Sequence, residues 1–447
     1  MNFLNGFKTI RVSTLLAIAF ATVFFPRILD NWGAPSAVNF VHFAIVPLIV
    51  GIFLITSRKI KAQYALMHAE MLIGLYLFAI IGFASGFLNG VGVINILVSF
   101  LLWAEPFMFL VSAVKLSSSP GQVKEFRFWI LGFLIFHLIL ALFQFVVLGH
   151  FGDSVQGVFY FSGSGHVVGA SVSASLSLYT FSHLFKAPMW IRIAIASLSL
   201  IHIIISDAKQ VIVVLVLAYA LMVFINLVDI RRLFLYTIGL ALFLYAFIWC
   251  VNTFPFLGAF KTWADLSLYG PDGDATLLKT AGIRIMIEHF QTPLNWLLGL
   301  GPGHTVDRLG GWMLKDYSSL LSPLGSTTSP VSDAVWAAVA NSWLGDRSSF
   351  FSPFWGWSAL WGDFGFIGLL AYLYLAMVVW RHLCVDDASR VLMLTVLIHG
   401  FIFTQMQEPG YMLTVACLIG LRWNEYQLEK LQKTTPVRVK LRYSLNT

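Results

Sequence analysis

The chain alternates between long apolar runs and short polar breaks over most of its length. Twelve runs approach or reach the roughly 17–25 residues that a helix needs to cross a bilayer. They are 12–29, 37–56, 66–87, 92–114, 127–149, 166–185, 189–206, 210–228, 233–251, 356–380, 390–407 and 409–423. The run at 166–185 is rich in serine. Small and hydroxyl residues suit helix–helix contact in lipid, so this run is expected to face other helices. The run at 409–423 is short. The first run follows Lys8 and Arg11 with no small-residue cleavage site after it, which predicts an uncleaved first helix rather than a signal peptide.

The charges between the runs set an orientation. With the N-terminus in the cytoplasm, the inner segments hold Lys8 and Arg11; Arg58, Lys59 and Lys61; Lys115, Lys124 and Arg127; Lys186 and Arg192; Arg231 and Arg232; Arg381 and Arg390; and Arg422, Lys430, Lys433, Arg438, Lys440 and Arg442. These are 20 of the 28 basic residues. The short outer loops hold only Arg27 and Lys209. Cytoplasmic loops carry the excess of Lys and Arg, and a miscounted helix would scramble the alternation. The pattern therefore predicts twelve spans with both termini inside.

Composition agrees. Hydrophobic residues make up 58% of the 447, charged residues only 11%, and the mean hydropathy is +0.82. A soluble domain carries about 25% charged residues, so this chain could not cover a soluble surface of its size. Disorder, collagen and coiled coil are excluded as well. The net charge of +7 is a topology signal and gives no sign of a nucleic-acid partner. Cys250, Cys384 and Cys417 are far apart and form no CxxC pair or disulfide framework.

The four parts expected are an N-terminal membrane bundle at 1–251 with about nine spans, a large outer loop at 252–355, three further spans at 356–423, and a basic cytoplasmic tail at 424–447. The loop is far longer than an ordinary connection, which points to function. Its six basic residues (Lys261, Lys279, Arg284, Arg308, Lys315, Arg347) meet eight acidic ones. Apolar spacing predicts a helix over about 275–290, ended at Thr292-Pro293, and a second over 333–344. Between them runs Trp296-Leu-Leu-Gly-Leu-Gly-Pro-Gly-His304. Gly299, Gly301 and Gly303 either turn the chain or let its backbone approach a ligand. No Gly-Lys-Ser/Thr and no βαβ context follows, so this is neither a Walker loop nor a dinucleotide fingerprint. Eight of the fifteen tryptophans, Trp296 among them, lie at 263–361. They are either an interfacial belt or a wall on which a sugar or prenyl chain stacks.

Charge in or beside lipid is costly and usually has a role. Asp207 and Lys209, in a tight outer turn, are either a local ion pair or a place where a cation grips phosphate. Glu105-Pro106 and Glu408-Pro409 are expected to pair with an internal Arg or His. His137, His202 and His399 sit singly in spans and are expected to be hydrogen-bonded packing. No HExxH or similar ligand pair occurs, and no metal or other cofactor is expected.

Four stretches then carry a resemblance. They are Gly157-Val-Phe-Tyr-Phe-Ser-Gly-Ser-Gly165 before a small-residue helix, Ile205-Ser-Asp-Ala-Lys209-Gln-Val before an aliphatic one, Ala281-Gly-Ile-Arg284 through Pro293 to Gly299-Leu-Gly-Pro-Gly303, and Trp361-Gly-Asp-Phe-Gly365-Phe-Ile-Gly368 after the loop. Together with the layout of about twelve spans and one large late loop, they resemble the superfamily of O-antigen polymerases and O-antigen ligases. The resemblance implies an all-α, GT-C-like polytopic membrane protein of the bacterial inner membrane. It implies a glycosyltransferase that joins polyprenyl-diphosphate-linked glycans at the periplasmic face. The donor and acceptor would be undecaprenyl-diphosphate-linked repeat units, with a chain-length regulator as a further partner.

The same resemblance makes Lys209 and Arg284 the basic pair on the diphosphate. Fixed cations can stabilise the charge of a departing diphosphate without a metal. A guanidinium grips phosphate through two parallel hydrogen bonds, whereas an ammonium is a point charge. Lys209 stands where the family typically shows Arg. The ligase branch shows a His late in the loop, where this chain reads Asp346-Arg-Ser-Ser-Phe-Phe-Ser-Pro-Phe354, which favours a polymerase. His304 is the candidate base. Arg308 and Arg347 are further cations for sugar or diphosphate, and Trp296, Gly301 and Gly303 line the same site. The alternatives are a ligase acting on lipid A core or protein, and a flippase for the same lipid-linked sugars.

Overall fold

The structure, a computed structural model, describes residues 11–56, 62–160, 164–184, 187–225, 230–254, 257–258, 260–261, 264–347, 351, 353, 355–402 and 404–434. Lys8, Arg58, Lys59, Lys61, Lys186, Trp263, Arg438, Lys440 and Arg442 lie outside the described residues, as do residues 161–163 of the first resembling stretch and the side chains of Arg232 and Arg347.

The described residues form helices and turns, with no strand among them. Before the loop come α1 (Val12–Phe24), α2 (His42–Thr56), α3 (Ala62–Leu88), α4 (Val93–Ala113), α5 (Pro120–Val146), α6 (Gly165–His183), α7 (Met189–Ile205), α8 (Lys209–Ile225) and α9 (Ile230–Thr253). The loop contributes α10 (Asp274–Glu288), α11 (Pro293–Leu298) and α12 (Pro330–Ala340). Then follow α13 (Trp355–His382), α14 (Asp387–His399) and α15 (Pro409–Thr434). Each of the twelve apolar runs carries helix. Six segments of the described residues are long and apolar enough to cross a membrane: Ser36–Ile55, Tyr64–Leu88, Val93–Leu116, Pro120–Val146, Leu233–Thr253 and Trp355–His382. The first run is broken at Phe25, where Pro26 opens a separate short helix over Pro26–Asn31 because its ring cannot continue the preceding one.

The shortest apolar run builds the centre. α15 packs against α1, α4, α5, α6 and α14 and is buried without interruption from Pro409 to Leu421. Small residues permit this close approach: Gly410 lies against the Phe159 ring, and a Cβ on Gly420 would meet the Ala113 methyl at 3.1 Å. The serine-rich α6 is buried from Gly165 to Leu176 and packs on α7 and α15, as its composition predicts. α3 pairs with α13 through Gly74, where a Cβ would come within 2.6 Å of Leu375. α9 leans against α8 at the edge. Between α7, α8 and α9 opens an apolar cleft of about 630 Å³.

Polar contacts sort the helix ends into two layers. At one end Arg11 meets Glu125, Arg127 meets Glu425, His382 meets Glu70, and Arg422 meets Asp386. At the other end the loop docks. Leu309, Met313, Leu314, Tyr317 and Leu321 pack on Val98 and Leu102 of α4, and Arg308 reaches Glu408 before α15.

Candidate functional site

The glycine run of the loop wraps around a break in α13. Gly365 has φ +66, a conformation open mainly to glycine, and a Cβ there would overlap the Leu297 backbone. Leu300 N–H donates to the Gly362 carbonyl (2.7 Å) and Gly301 N–H to that of Asp363 (3.2 Å). The Asp363 carboxyl accepts from Gly303 N–H (2.8 Å), Thr305 N–H (3.0 Å) and the Thr305 hydroxyl (2.6 Å). Gly299, Gly301 and Gly303 all have positive φ, so the run turns here. Asp307 lies within hydrogen-bonding reach of Asp363. It also accepts from Gly310 N–H, Gln407 Nε2 and Ser99 Oγ. Burial pushes its carboxyl pKa up.

Next along the chain, Arg308 enters a cleft. Its backbone N–H donates to Gln407 Oε1 (2.7 Å), its guanidinium pairs with Glu408, and it stacks over Trp312 at 5.7 Å. The cleft is lined by Arg27, Asn39, His42, Arg308, Tyr317 and Glu408 among other side chains, and its free space is about 40 Å³. That holds a few water-sized groups, so a sugar ring would have to sit outside it. Among the described residues Arg27 has no carboxylate partner: it donates to the Tyr317 hydroxyl (2.7 Å) and lies over that ring. Burial first, and the nearby Arg27 second, lower the Arg308 pKa, partly opposed by Tyr317 and Asp307. Two guanidiniums thus line one small cleft together with Glu408, which already pairs with Arg308. Glu105 is paired, as expected of a buried carboxylate: both its oxygens lie 2.9 Å from His42 Nδ1.

The residues expected from sequence divide. Arg308 lines the cleft, and Gly301, Gly303 and His304 belong to the strap that leads to it. His304 is engaged at both ring nitrogens, by the Leu300 carbonyl (3.2 Å) and the Thr327 hydroxyl (2.9 Å). Burial lowers its pKa, so it holds the strap as a neutral ring. Trp296 packs with Phe290, Trp361 and Phe366 and stays 39% exposed. Lys209 pairs with Asp207. Arg284 is exposed on α10 and folds back on its own helix, donating to Thr280 Oγ1 (3.3 Å) and the Leu277 carbonyl (2.9 Å). No hydrogen bond or ion pair joins Lys209 to Arg284 among the described residues. Arg347 ends a short helix over Trp343–Arg347. Among the described residues no group of three His, Cys, Asp or Glu could hold a metal ion.

Sequence reasoning missed Arg27, His42, Tyr317 and Gln407. One signal was present for Arg27, as it is one of two basic residues in the short outer loops. The others converge from segments more than fifty residues apart. No protein-family profile and no curated protein matches the chain.

Proposed function

We propose that this membrane protein is a glycosyltransferase that lengthens glycans carried on a polyprenyl diphosphate. The observation that carries the reading is the cleft in which Arg27 and Arg308 converge beneath the loop. A departing diphosphate develops charge as the sugar–oxygen bond breaks, and fixed guanidiniums stabilise it with no reorganisation. The small cleft takes the phosphate groups, and the sugars remain on the loop side.

In this reading the chain crosses the bacterial inner membrane twelve times, with both termini cytoplasmic and the loop periplasmic. The sorting of helix ends supports it. The ends expected in the cytoplasm meet one another through ion pairs, and the ends expected outside meet the loop. The donor is a polyprenyl-diphosphate glycan, and the acceptor is a second lipid-linked unit. Lys209 and Arg284 would serve diphosphate or glycan outside the cleft.

The test is binding of farnesyl diphosphate, a soluble short polyprenyl diphosphate, to purified protein, with farnesol as control. Binding that is lost in Arg27→Gln and Arg308→Gln supports the reading. Equal affinity for farnesol, or binding indifferent to both substitutions, overturns it. Loss of binding in Lys209→Gln and Arg284→Gln instead would move the diphosphate to that pair.

A further inference from the structure

The diphosphate reading leaves one chemical requirement unmet, a group that takes the proton from the attacking hydroxyl. We propose that His42 is that base and Glu105 its orienting partner, an assignment that rests on the function proposed above.

His42 opens α2, and Glu105 lies within α4 just before Pro106. The side chains are 6% and 1% exposed. With both carboxylate oxygens 2.9 Å from Nδ1, that nitrogen carries the hydrogen, because a carboxylate can only accept. The lone pair is therefore left on Nε2, the tautomer logic of a carboxylate–histidine couple. Nε2 makes no hydrogen bond among the described residues, and His42 lines the cleft that holds Arg27, Arg308, Tyr317 and Glu408. Of the other buried histidines, His68 and His202 also keep an Nε2 without a hydrogen-bond partner among the described residues, but neither lines this cleft. His137 binds the Gly169 carbonyl and Val158 N–H. His399 binds the Thr395 carbonyl and Ser171. His202 binds Ser173.

The step balances. At the mouth of the cleft, with both sugar rings on the loop side, the acceptor hydroxyl gives its proton to His42 Nε2 while its oxygen bonds to the anomeric carbon of the donor. The bond from that carbon to the diphosphate oxygen breaks, and its electron pair leaves with the diphosphate against Arg27 and Arg308. Glu105 remains ionised and stabilises the imidazolium, which later releases its proton to water.

Two measurements test this. In the first, purified protein is treated with diethyl pyrocarbonate, which acylates an unprotonated, accessible imidazole nitrogen, and modified residues are identified by mass spectrometry. His42 should be modified in the wild type and protected by farnesyl diphosphate. Half-buried His289, whose Nδ1 alone is bound, by the Ile285 carbonyl, serves as control. Modification of His289 without His42 overturns the open Nε2. In the second, turnover of lipid-linked repeat units is followed in His42→Gln and Glu105→Gln. Both should keep farnesyl diphosphate affinity within about twofold. Turnover should fall by about a hundredfold or more, the scale of general-base loss. Glu105, Arg27, Arg308, Glu408 and Tyr317 are the charged and titratable groups facing this ring. Loss of binding in wild type indicts the diphosphate reading, whereas intact binding with unimpaired variants overturns only the dyad.

Discussion

Arg308 of the loop and Glu408 at the head of α15 form an ion pair with 8% and 4% of their side chains exposed. The pair ties the loop to the most enclosed helix in the bundle. Removing one partner of a buried pair strands the other charge and costs about 3–5 kcal/mol, whereas replacing both with apolar residues is often near neutral. Arg308→Ala should therefore unfold well below the wild type in thermal melts, and Arg308→Met with Glu408→Leu should melt close to it. The double variant should nevertheless lose farnesyl diphosphate. If the single variant melts like the wild type, the pair does not hold the loop.

Asp307 and Asp363, fully buried and within hydrogen-bonding reach of each other, should share one proton. Two ionised carboxyls in such contact are strongly disfavoured. Asparagine at one position can supply the donor that the protonated acid supplies. Asp307→Asn should therefore melt within about 1 kcal/mol of the wild type, while Asp307→Ala, which leaves donors unmet, should cost about 2 kcal/mol or more. Infrared spectra at neutral pH should show a buried carboxylic-acid band that Asp307→Asn removes. A wild type without the band contradicts the shared proton.

The helices were legible in sequence because apolar runs and basic breaks are local signals. So were the pairing of Glu105 and Glu408 and the packing of the lone histidines, because a buried polar group must find a partner. The cleft was not legible. Arg27, His42, Arg308 and Glu408 come from four separate segments, and nothing local marks their convergence. The glycine run remained open between turn and ligand cradle because both need positive φ. Asp363, sixty residues after Gly303, is what the run wraps around, accepting from Gly303 and Thr305 N–H.

Gly365 and Gly33 separate strain from collision. Both have positive φ, but a Cβ at Gly33 meets nothing within 4 Å, whereas one at Gly365 overlaps Leu297. Gly33→Ala should cost about 1 kcal/mol, the left-handed penalty alone. Gly365→Ala should cost about 3 kcal/mol or more and expose the glycine strap to protease. Equal losses in melting experiments would mean that α11 yields freely at the break.

Lys279, on the buried side of α10, has its pKa lowered to about 7 by burial. The folded protein thus releases a proton near pH 7 that the unfolded chain keeps until about pH 10.4. In that window the unfolded state binds more protons, so stability should rise with pH. Lys279→Met should remove this slope. Melts of the wild type that fall steadily between pH 7 and 9, with the same slope in Lys279→Met, would show that Lys279 stays charged.

The loop and the end of α15 should lie on opposite sides of the membrane. Leu324 is 59% exposed at the loop surface, and it precedes Gly325, whose φ of +80 makes position 325 itself a poor site for a cysteine. The Glu429 side chain is 54% exposed near the other end of the bundle. The native Cys384 and Cys417 are buried and Cys250 half-buried, so background labelling should be low. In intact spheroplasts, Leu324→Cys should react with an impermeant maleimide. Glu429→Cys should react only after permeabilisation if the proposed twelve crossings hold, since they run α15 inward. Labelling of both positions in intact spheroplasts would break the count of crossings after the loop, and labelling of Glu429→Cys alone would reverse the orientation and move the Arg27–Arg308 cleft to the cytoplasmic face. A periplasmic glycan transfer could not use it there.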